Sequence, residues 1–229
     1  MCWSATADLV AGTGISAIGV ACLAHVRRAR DLPLASLPLL LGAHQIIESV
    51  VWRSGGGTGP ATVAWAIIAL PVPALWVPRA ARRTGARPPT AGGDRAAGLA
   101  TATAFTYCLA TRPVTAETRG HTLGYVLDLP ASELLVAGYL PATVGSLLLG
   151  GDPLLRLLGV LVAAGAVICA LLWRLEFVSI WCAFTAVASV VILGRVRRRP
   201  AGAPAGGRRG GAVNAGAGAA GPEGVARGG

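Results

Sequence analysis

Seven stretches of this chain are almost uninterruptedly apolar, at residues 5–26, 34–52, 61–77, 96–111, 132–149, 154–173 and 177–193. A bilayer core is crossed by about 20 apolar residues wound as a helix. Each stretch is therefore read as a membrane-spanning α-helix, and the chain as an all-α polytopic bundle of seven spans. Helix punctuation separates them: Asp31-Leu32-Pro33 before the second and Gly55-Gly56-Gly57 before the third. The fourth stretch is the shortest and holds Thr101, Thr103 and Thr106, so hydropathy alone supports it least. Residues 200–229 are Gly, Ala, Pro and Arg with hardly a bulky apolar side chain. They cannot build a core and read as a disordered tail after a single domain spanning 1–199.

The second stretch breaks the pattern in an informative way. At 100° per residue, His44, Gln45, Glu48 and Trp52 fall within a sector about 100° wide, while Ile46, Ile47, Val50 and Val51 take the other side. An ionisable group facing hydrocarbon costs a few kcal/mol or more. The polar stripe is therefore expected to face protein.

Composition strengthens the membrane reading. The 229 residues are 54% hydrophobic and 13% charged, with a mean hydropathy of +0.63, against roughly 25% charged in a soluble domain. The net charge is +10, carried by 20 arginines and no lysine, which fits the codon usage of a GC-rich genome. These arginines flank apolar runs instead of forming a basic face with aromatics, so nucleic acid is not the expected partner. The bilayer is, together with an unidentified small molecule or ion.

Charge also sets the expected sidedness. Cytoplasmic loops collect arginine. With seven spans and the N-terminus outside, sixteen arginines fall inside; Arg53, Arg112, Arg119 and Arg174 fall outside. Omitting the fourth span would move the cluster at Arg195, Arg197, Arg198 and Arg199 outside, so the charge asymmetry supports that span. The first stretch has its arginines (Arg27, Arg28, Arg30) after it and none before it. That is the reverse of a secretory signal, so it is expected to remain as a helix. The multi-pass protein is placed in a plasma membrane.

In this topology the polar and aromatic residues gather toward the outer face. Trp3, Trp52, Trp173 and Trp181 lie at outer helix ends, Trp65 just inside, and Trp76 alone near the inner side. Asp8 and Glu48 lie about one turn into their helices and His44 one turn deeper. Outer connections carry Glu117, His121, Tyr125, Asp128, Glu133, Arg174 and Glu176. The candidate ligand pocket comprises Asp8, His44, Gln45, Glu48, Trp52, His121, Tyr125, Asp128 and Trp181. Interface tryptophans are also ordinary belt residues, and a buried Glu48 hydrogen-bonded within the bundle is also an ordinary packing device.

Three functional readings follow. In the first, Glu48 holds or passes a proton or a cationic group in an outward-opening pocket, which serves binding, sensing or small-solute passage without catalysis. In the second, His44 and Glu48 at i, i+4, with His121 or Asp128, bind a metal in an intramembrane hydrolase; the second helical histidine of His-Glu-x-x-His is missing. In the third, the protein is a scaffold. No phosphate loop, nucleophile elbow or Ser-x-x-Lys motif is present, and no cofactor is implied. The five cysteines (Cys2, Cys22, Cys108, Cys169, Cys182) show no metal spacing. A disulfide between Cys2 and Cys182 on the oxidising side is weighed against their being small buried hydrophobes.

The opening Met1-Cys2-Trp3-Ser4-Ala5 resembles that of a family of uncharacterised bacterial multi-pass membrane proteins beginning Met-Cys-Phe-Ser-Ala. The similarity continues through Leu32-Pro33-Leu34, Leu37-Pro38-Leu39-Leu40 and Gln45-x-x-Glu48-x-x-x-Trp52 to Phe177-Val178-Ser179-Ile180-Trp181-Cys182-Ala183-Phe184. It spans about residues 1–199. Trp3 replaces Phe, and His44 stands where Gln is equally expected, which counts against a metal ligand there. The resemblance implies that Cys2, Trp3, Ser4, Gln45, Glu48, Trp52, Trp181 and Cys182 belong to the family pattern; it implies no activity. Seven spans with scattered His and Asp also look loosely like membrane hydrolases of the alkaline ceramidase type, but His25 at an inner boundary and His121 in a loop do not form that constellation.

Overall fold

A computed structural model of the chain describes residues 4–84, 92–120, 122–171 and 177–198; the side chains of 92–94, 122, 169–171 and 177–183 are not described. Helix occupies most of the described part of each of the seven apolar stretches. α1 is Ala5–Ala24. A 3₁₀ turn, Ala29–Asp31, leads through α2 (Leu32–Ala35) into α3 (Leu37–Arg53). Then come α4 (Pro60–Ala69), α5 (Pro71–Thr84) and α6 (Gly92–Thr111). Two strands follow, β1 (Val114–Arg119) and β2 (Thr122–Leu127). α7 (Ser132–Leu140) continues through a π-helical turn at Pro141–Gly145 into α8 (Ser146–Leu148). α9 (Pro153–Leu171) and α10 (Phe177–Arg198) complete the described chain. Ala5–Ala24, Ala29–Arg53 and Pro60–Thr84 are long and apolar enough to cross a membrane; Ser132–Leu148 and Pro153–Ile168 are shorter apolar helices.

The closest helix pair is α1 with α3. Ser4 caps α1 by accepting a hydrogen bond from the Ala7 N–H at 3.2 Å, which satisfies one orphan donor of the first turn. The buried residues of α1 are Asp8, Gly12, Ile15, Gly19 and Cys22, alternate steps of four and three that trace one narrow seam. Two glycines on this seam, with Gly42 opposite, let the backbones touch. A Cβ on Gly12 would lie 2.8 Å from Ile46 Cγ1 and 2.9 Å from the Gly42 carbonyl. One on Gly42 would lie 2.7 Å from the Ser16 nitrogen, and one on Gly19 would lie 2.7 Å from the Leu39 nitrogen. Small residues are what membrane-type helix interfaces use for close approach. These contacts fix an antiparallel register, and one turn further along it Asp8 arrives beside Glu48 and Trp52.

Two breaks in the helices have proline causes, and each is sealed by a hydrogen bond. The third apolar stretch was expected as one helix ending near residue 77. It divides at Leu70 and runs on to Thr84. Pro71 and Pro73 lack the N–H groups that an unbroken helix would use. The Tyr139 hydroxyl of α7 donates to the Ala69 carbonyl at 2.9 Å, the acceptor that the residue-73 N–H would otherwise serve. Between α2 and α3, the Trp76 indole N–H is shared between the Pro33 carbonyl and Ser36 Oγ, both at 2.9 Å. Trp76 thus bridges α5 to the α2–α3 junction.

The two-stranded sheet lay in a connection for which the sequence reading assigned no structure. Its strands pair antiparallel from Val114↔Leu127 to Arg119↔Thr122. Val114, Ala116 and Leu123 are buried at every second position, against Trp65 and Ala66 on one side and Val51 on the other. Gly55, Gly56 and Gly57 have φ of 74°, 86° and 89°, a left-handed run that only glycine adopts cheaply. This turn between α3 and α4 bonds to the hairpin: Gly57 N–H donates to the Ala116 carbonyl at 2.7 Å and Ala116 N–H to the Gly57 carbonyl at 3.0 Å.

At the other end of α1, a core of Cys22, Leu34, Val77, Leu147, Leu155, Leu158 and Ile192 gathers six elements. One arginine ties their termini. Arg195, 3% exposed, donates from Nη2 to Asp152 Oδ2 at 2.5 Å and to the Thr84 carbonyl at 3.3 Å. Its Nη1 lies 3.8 Å from Asp31 Oδ1. Asp152 also accepts the Leu154 N–H at 2.9 Å, capping α9. The sequence reading placed Arg195 among the charges that set sidedness. Here it is buried against two carboxylates.

Two substitutions test this packing. Gly42→Val should force α1 and α3 apart and cost about 1–3 kcal/mol, read as a lower thermal midpoint in detergent. Arg195→Met should cost more, about 3–5 kcal/mol, because it removes the positive charge facing the buried Asp31 and the partly buried Asp152. Arg195→Lys should fall between wild type and Met; a thermal midpoint for Arg195→Met equal to wild type would show that the network carries no stability.

Candidate functional site

At the hairpin end, the α1–α3 register, the α3–α4 turn and the sheet bring polar groups together in an otherwise apolar setting. Asp8 and Glu48 are both completely buried, and the charge of Glu48 is felt at Asp8. Neither carboxylate oxygen of Asp8 has a hydrogen-bond partner among the described residues. The indole N–H of Trp52 is directed toward Asp8 without closing a hydrogen bond. The hydroxyl of Tyr125 and the indole N–H of Trp65 are likewise buried and unpartnered among the described residues. Buried polar groups are nearly always satisfied by protein, water or an ion. Unsatisfied acceptors on Asp8 and donors on three aromatic side chains at one end of the bundle therefore mark the candidate site.

Aromatic rings form its roof. Trp65 stacks on Tyr125, with ring centroids 3.4 Å apart and planes within 3°. The His44 ring centroid lies 5.0 Å from that of Trp65, with the planes tilted by 40°. The site is thus built from the first turns of α1, the last two turns of α3, the start of α4 and strand β2. Burial is the main cause that pushes the Tyr125 phenol well above its ordinary range, and the negative charges of Glu48 and Asp8 push it the same way.

The expected pocket residues divide as follows. Asp8, Glu48, Trp52 and Tyr125 are brought together, with His44 joined through Trp65. Gln45 is buried on α3. Asp128 is not part of this cluster: its side chain is 79% exposed and pairs with Arg112 at 2.5 Å at the base of the hairpin. His121 and the side chain of Trp181 lie outside the described residues. So do Cys2 and the side chain of Cys182, while Cys22 and Cys108 are free and buried. The proposed metal set of His44, Glu48 and His121 also rests on an undescribed residue. Among the described residues, no three His, Cys, Asp or Glu side chains are grouped so as to hold a metal ion. Ser49, next to Glu48, turns its hydroxyl back to the Ile46 carbonyl at 2.7 Å, and so presents no nucleophile.

Trp65 was missed as a site residue. It was read as a belt tryptophan because a helical wheel of α3 cannot show what α4 contributes. Tyr125 pairs with Ala116 across the hairpin, on the face that also carries the buried Val114.

A model of one protein family matches residues 1–207, nearly the whole chain. The chain belongs to DUF6629, a family of unknown function. No curated protein and no solved structure matches it. The DUF6629 match takes in every element of the described fold and the whole Asp8–Glu48 cluster, and it ends within the Gly- and Ala-rich tail.

One measurement probes the roof. The folded chain holds the Tyr125 proton more tightly than the unfolded chain. The associated stability is therefore complete below the ordinary tyrosine pKa of about 10 and is lost as pH rises above it. The thermal midpoint should fall in alkali, and fall less in Tyr125→Phe. Equal alkaline sensitivity in both would show that Tyr125 is not held in this setting.

Proposed function

We propose that this DUF6629 protein is a seven-span plasma-membrane protein with its N-terminus and hairpin outside. In this reading a polar site around Asp8 and Glu48 binds or passes a small solute and carries out no catalysis. Helix at every expected stretch supports seven spans, and the arginine asymmetry supports the orientation. A single observation carries the functional part: Asp8 is wholly buried beside Glu48, with both oxygens unpartnered among the described residues. A carboxylate placed only to fasten helices would be hydrogen-bonded into the bundle. One left open beneath a hairpin is arranged to meet something from outside the chain. Trp52 and Tyr125 then contribute as donors around the solute, and the hairpin excludes water from it.

Sidedness is tested by an impermeant maleimide applied to intact cells. Thr118→Cys, exposed near the tip of the hairpin, should be labelled above the parent chain, and Arg198→Cys should not; the opposite pattern would reverse the orientation. The role of the site is tested in proteoliposomes by following proton and potassium flux. Glu48→Gln should alter flux at an unchanged thermal midpoint. If it alters only the midpoint, the cluster is a packing device and the protein a scaffold.

A further inference from the structure

We propose that the end of the bundle opposite the hairpin binds the phosphates of anionic phospholipid headgroups through its arginines. The proposal rests on the chain lying in a bilayer, as read above, and is independent of the Asp8–Glu48 cluster. It starts from the charge around Arg195. That side chain pairs with Asp152 Oδ2 and lies 3.8 Å from Asp31 Oδ1. It also donates to the Thr84 carbonyl at 3.3 Å, so the ends of α5 and α10 and the starts of α2 and α9 meet at one level. The turn Ala29–Asp31 packs on α5, and the charge of Arg197 is felt at Cys22 near the end of α1. Arg27, Arg30, Arg82, Arg83, Arg197 and Arg198 are thereby gathered around a network whose two carboxylates already face Arg195. The other described acidic side chains, Asp8, Glu48, Glu117, Asp128 and Glu133, belong to the hairpin end. The start of α6 adds Asp94 and Arg95, one of each sign. This end therefore keeps an excess of positive charge that the described side chains do not balance.

The second observation is the level at which these arginines stand. On α1, α5 and α10 the exposed side chains change from apolar to basic within about two helical turns: from Val20 to Arg27, from Leu75 to Arg79 and from Val190 to Arg197. An exposed apolar band suits acyl chains, and a charged rim that begins where the band stops lies at the headgroups. A polyanion dissolved in water would meet the arginines alone. A lipid meets both surfaces at once, its tails along the apolar band and its phosphate at the rim. Clusters of basic residues beside membrane spans attract anionic lipid in this way.

The third observation is Arg30. Its Nε is buried and has no hydrogen-bond partner among the described residues, while the side chain as a whole is partly exposed. The fold thus shields one edge of this guanidinium from water without answering it, which favours an anion at the edge that remains open. Arginine keeps its charge at every physiological pH, and its planar fork of N–H donors matches two oxygens of one phosphate.

The experiment places the full chain in phosphatidylcholine bilayers with a trace of spin-labelled lipid. The motionally restricted fraction is compared for labelled phosphatidylglycerol and labelled phosphatidylcholine. Wild type should restrict phosphatidylglycerol severalfold more than phosphatidylcholine, and the preference should shrink as sodium chloride screens it. Arg197→Gln/Arg198→Gln should lose most of the preference and Arg30→Gln part of it. Arg53→Gln/Arg119→Gln, which removes two charges at the hairpin end, should keep it, and so should Glu48→Gln. Equal restriction of both lipids by wild type overturns the proposal without recourse to variants. So does a preference that survives in both Arg197→Gln/Arg198→Gln and Arg30→Gln, since the arginines beyond residue 198 are the same in every variant. Loss of the preference to inorganic pyrophosphate, at an ionic strength where sodium chloride preserves it, would assign the arginines to a soluble phosphate and also overturn it. Absence of a restricted component for either lipid would overturn the membrane reading as well. Equal restriction of the two would leave that reading standing and remove this inference alone.

Discussion

The structure depends on the contact between α1 and α3, where glycine backbones meet with no side chain between them. Between helices that lie in hydrocarbon no hydrophobic force acts, and dispersion across a close interface takes its place; α1 and part of the α2–α3 run are long and apolar enough for that setting. Gly12, Gly19 and Gly42 provide that interface. Because the backbones interlock, the register cannot slide, and register is what sets Asp8 beside Glu48. Each acidic residue alone would be an expense in an apolar helix. Held at a fixed height, they form the cluster on which the proposed solute site rests.

The two ends of the bundle treat charge in opposite ways. At one end Arg195 answers Asp31 and Asp152, and the network also takes in the Thr84 carbonyl and the cap of α9. At the other end the described side chains leave the Asp8 oxygens unpartnered and ring them with donors that carry no charge. A fold that knits buried ions together at one end and leaves both Asp8 oxygens without a described partner at the other has an asymmetry that packing alone does not require. This contrast is why the Asp8–Glu48 cluster reads as functional and the Arg195 network as structural.

Much of this was legible in the chain, and the limits are physical. Seven apolar runs located helix correctly because length and hydropathy are local properties. Of the stripe of His44, Gln45, Glu48 and Trp52, Gln45 and Glu48 are buried; Val51, from the other side of the wheel, is buried too, against the hairpin. Asp8 and Tyr125 were picked out by their expected depth alone. What could not be read were the partnerships between distant segments. Tyr139 serves a carbonyl seventy residues away, and Arg195 meets Asp31 across most of the chain. Arg195 was mistaken for a sidedness signal because a basic cluster after an apolar run looks the same whether its first member is solvated or buried. The hairpin was passed over because its strands are short and carry Glu117 and Arg119 on the solvent side. Its neighbour Asp128 seemed a pocket residue on position alone, until Arg112 claimed it.

The paired hydrogen bonds between Gly57 and Ala116 limit how the roof can travel. A flap hinged at its own base would have to tear both of them, and the strand cannot lift singly. With those bonds intact, the hairpin and the α3–α4 turn hold together as one piece. The next interruption along the chain is at Leu70, where prolines have removed helical bonds, and Tyr139 closes it through the Ala69 carbonyl. A side chain of α7 thus pins the end of the helix that carries Trp65.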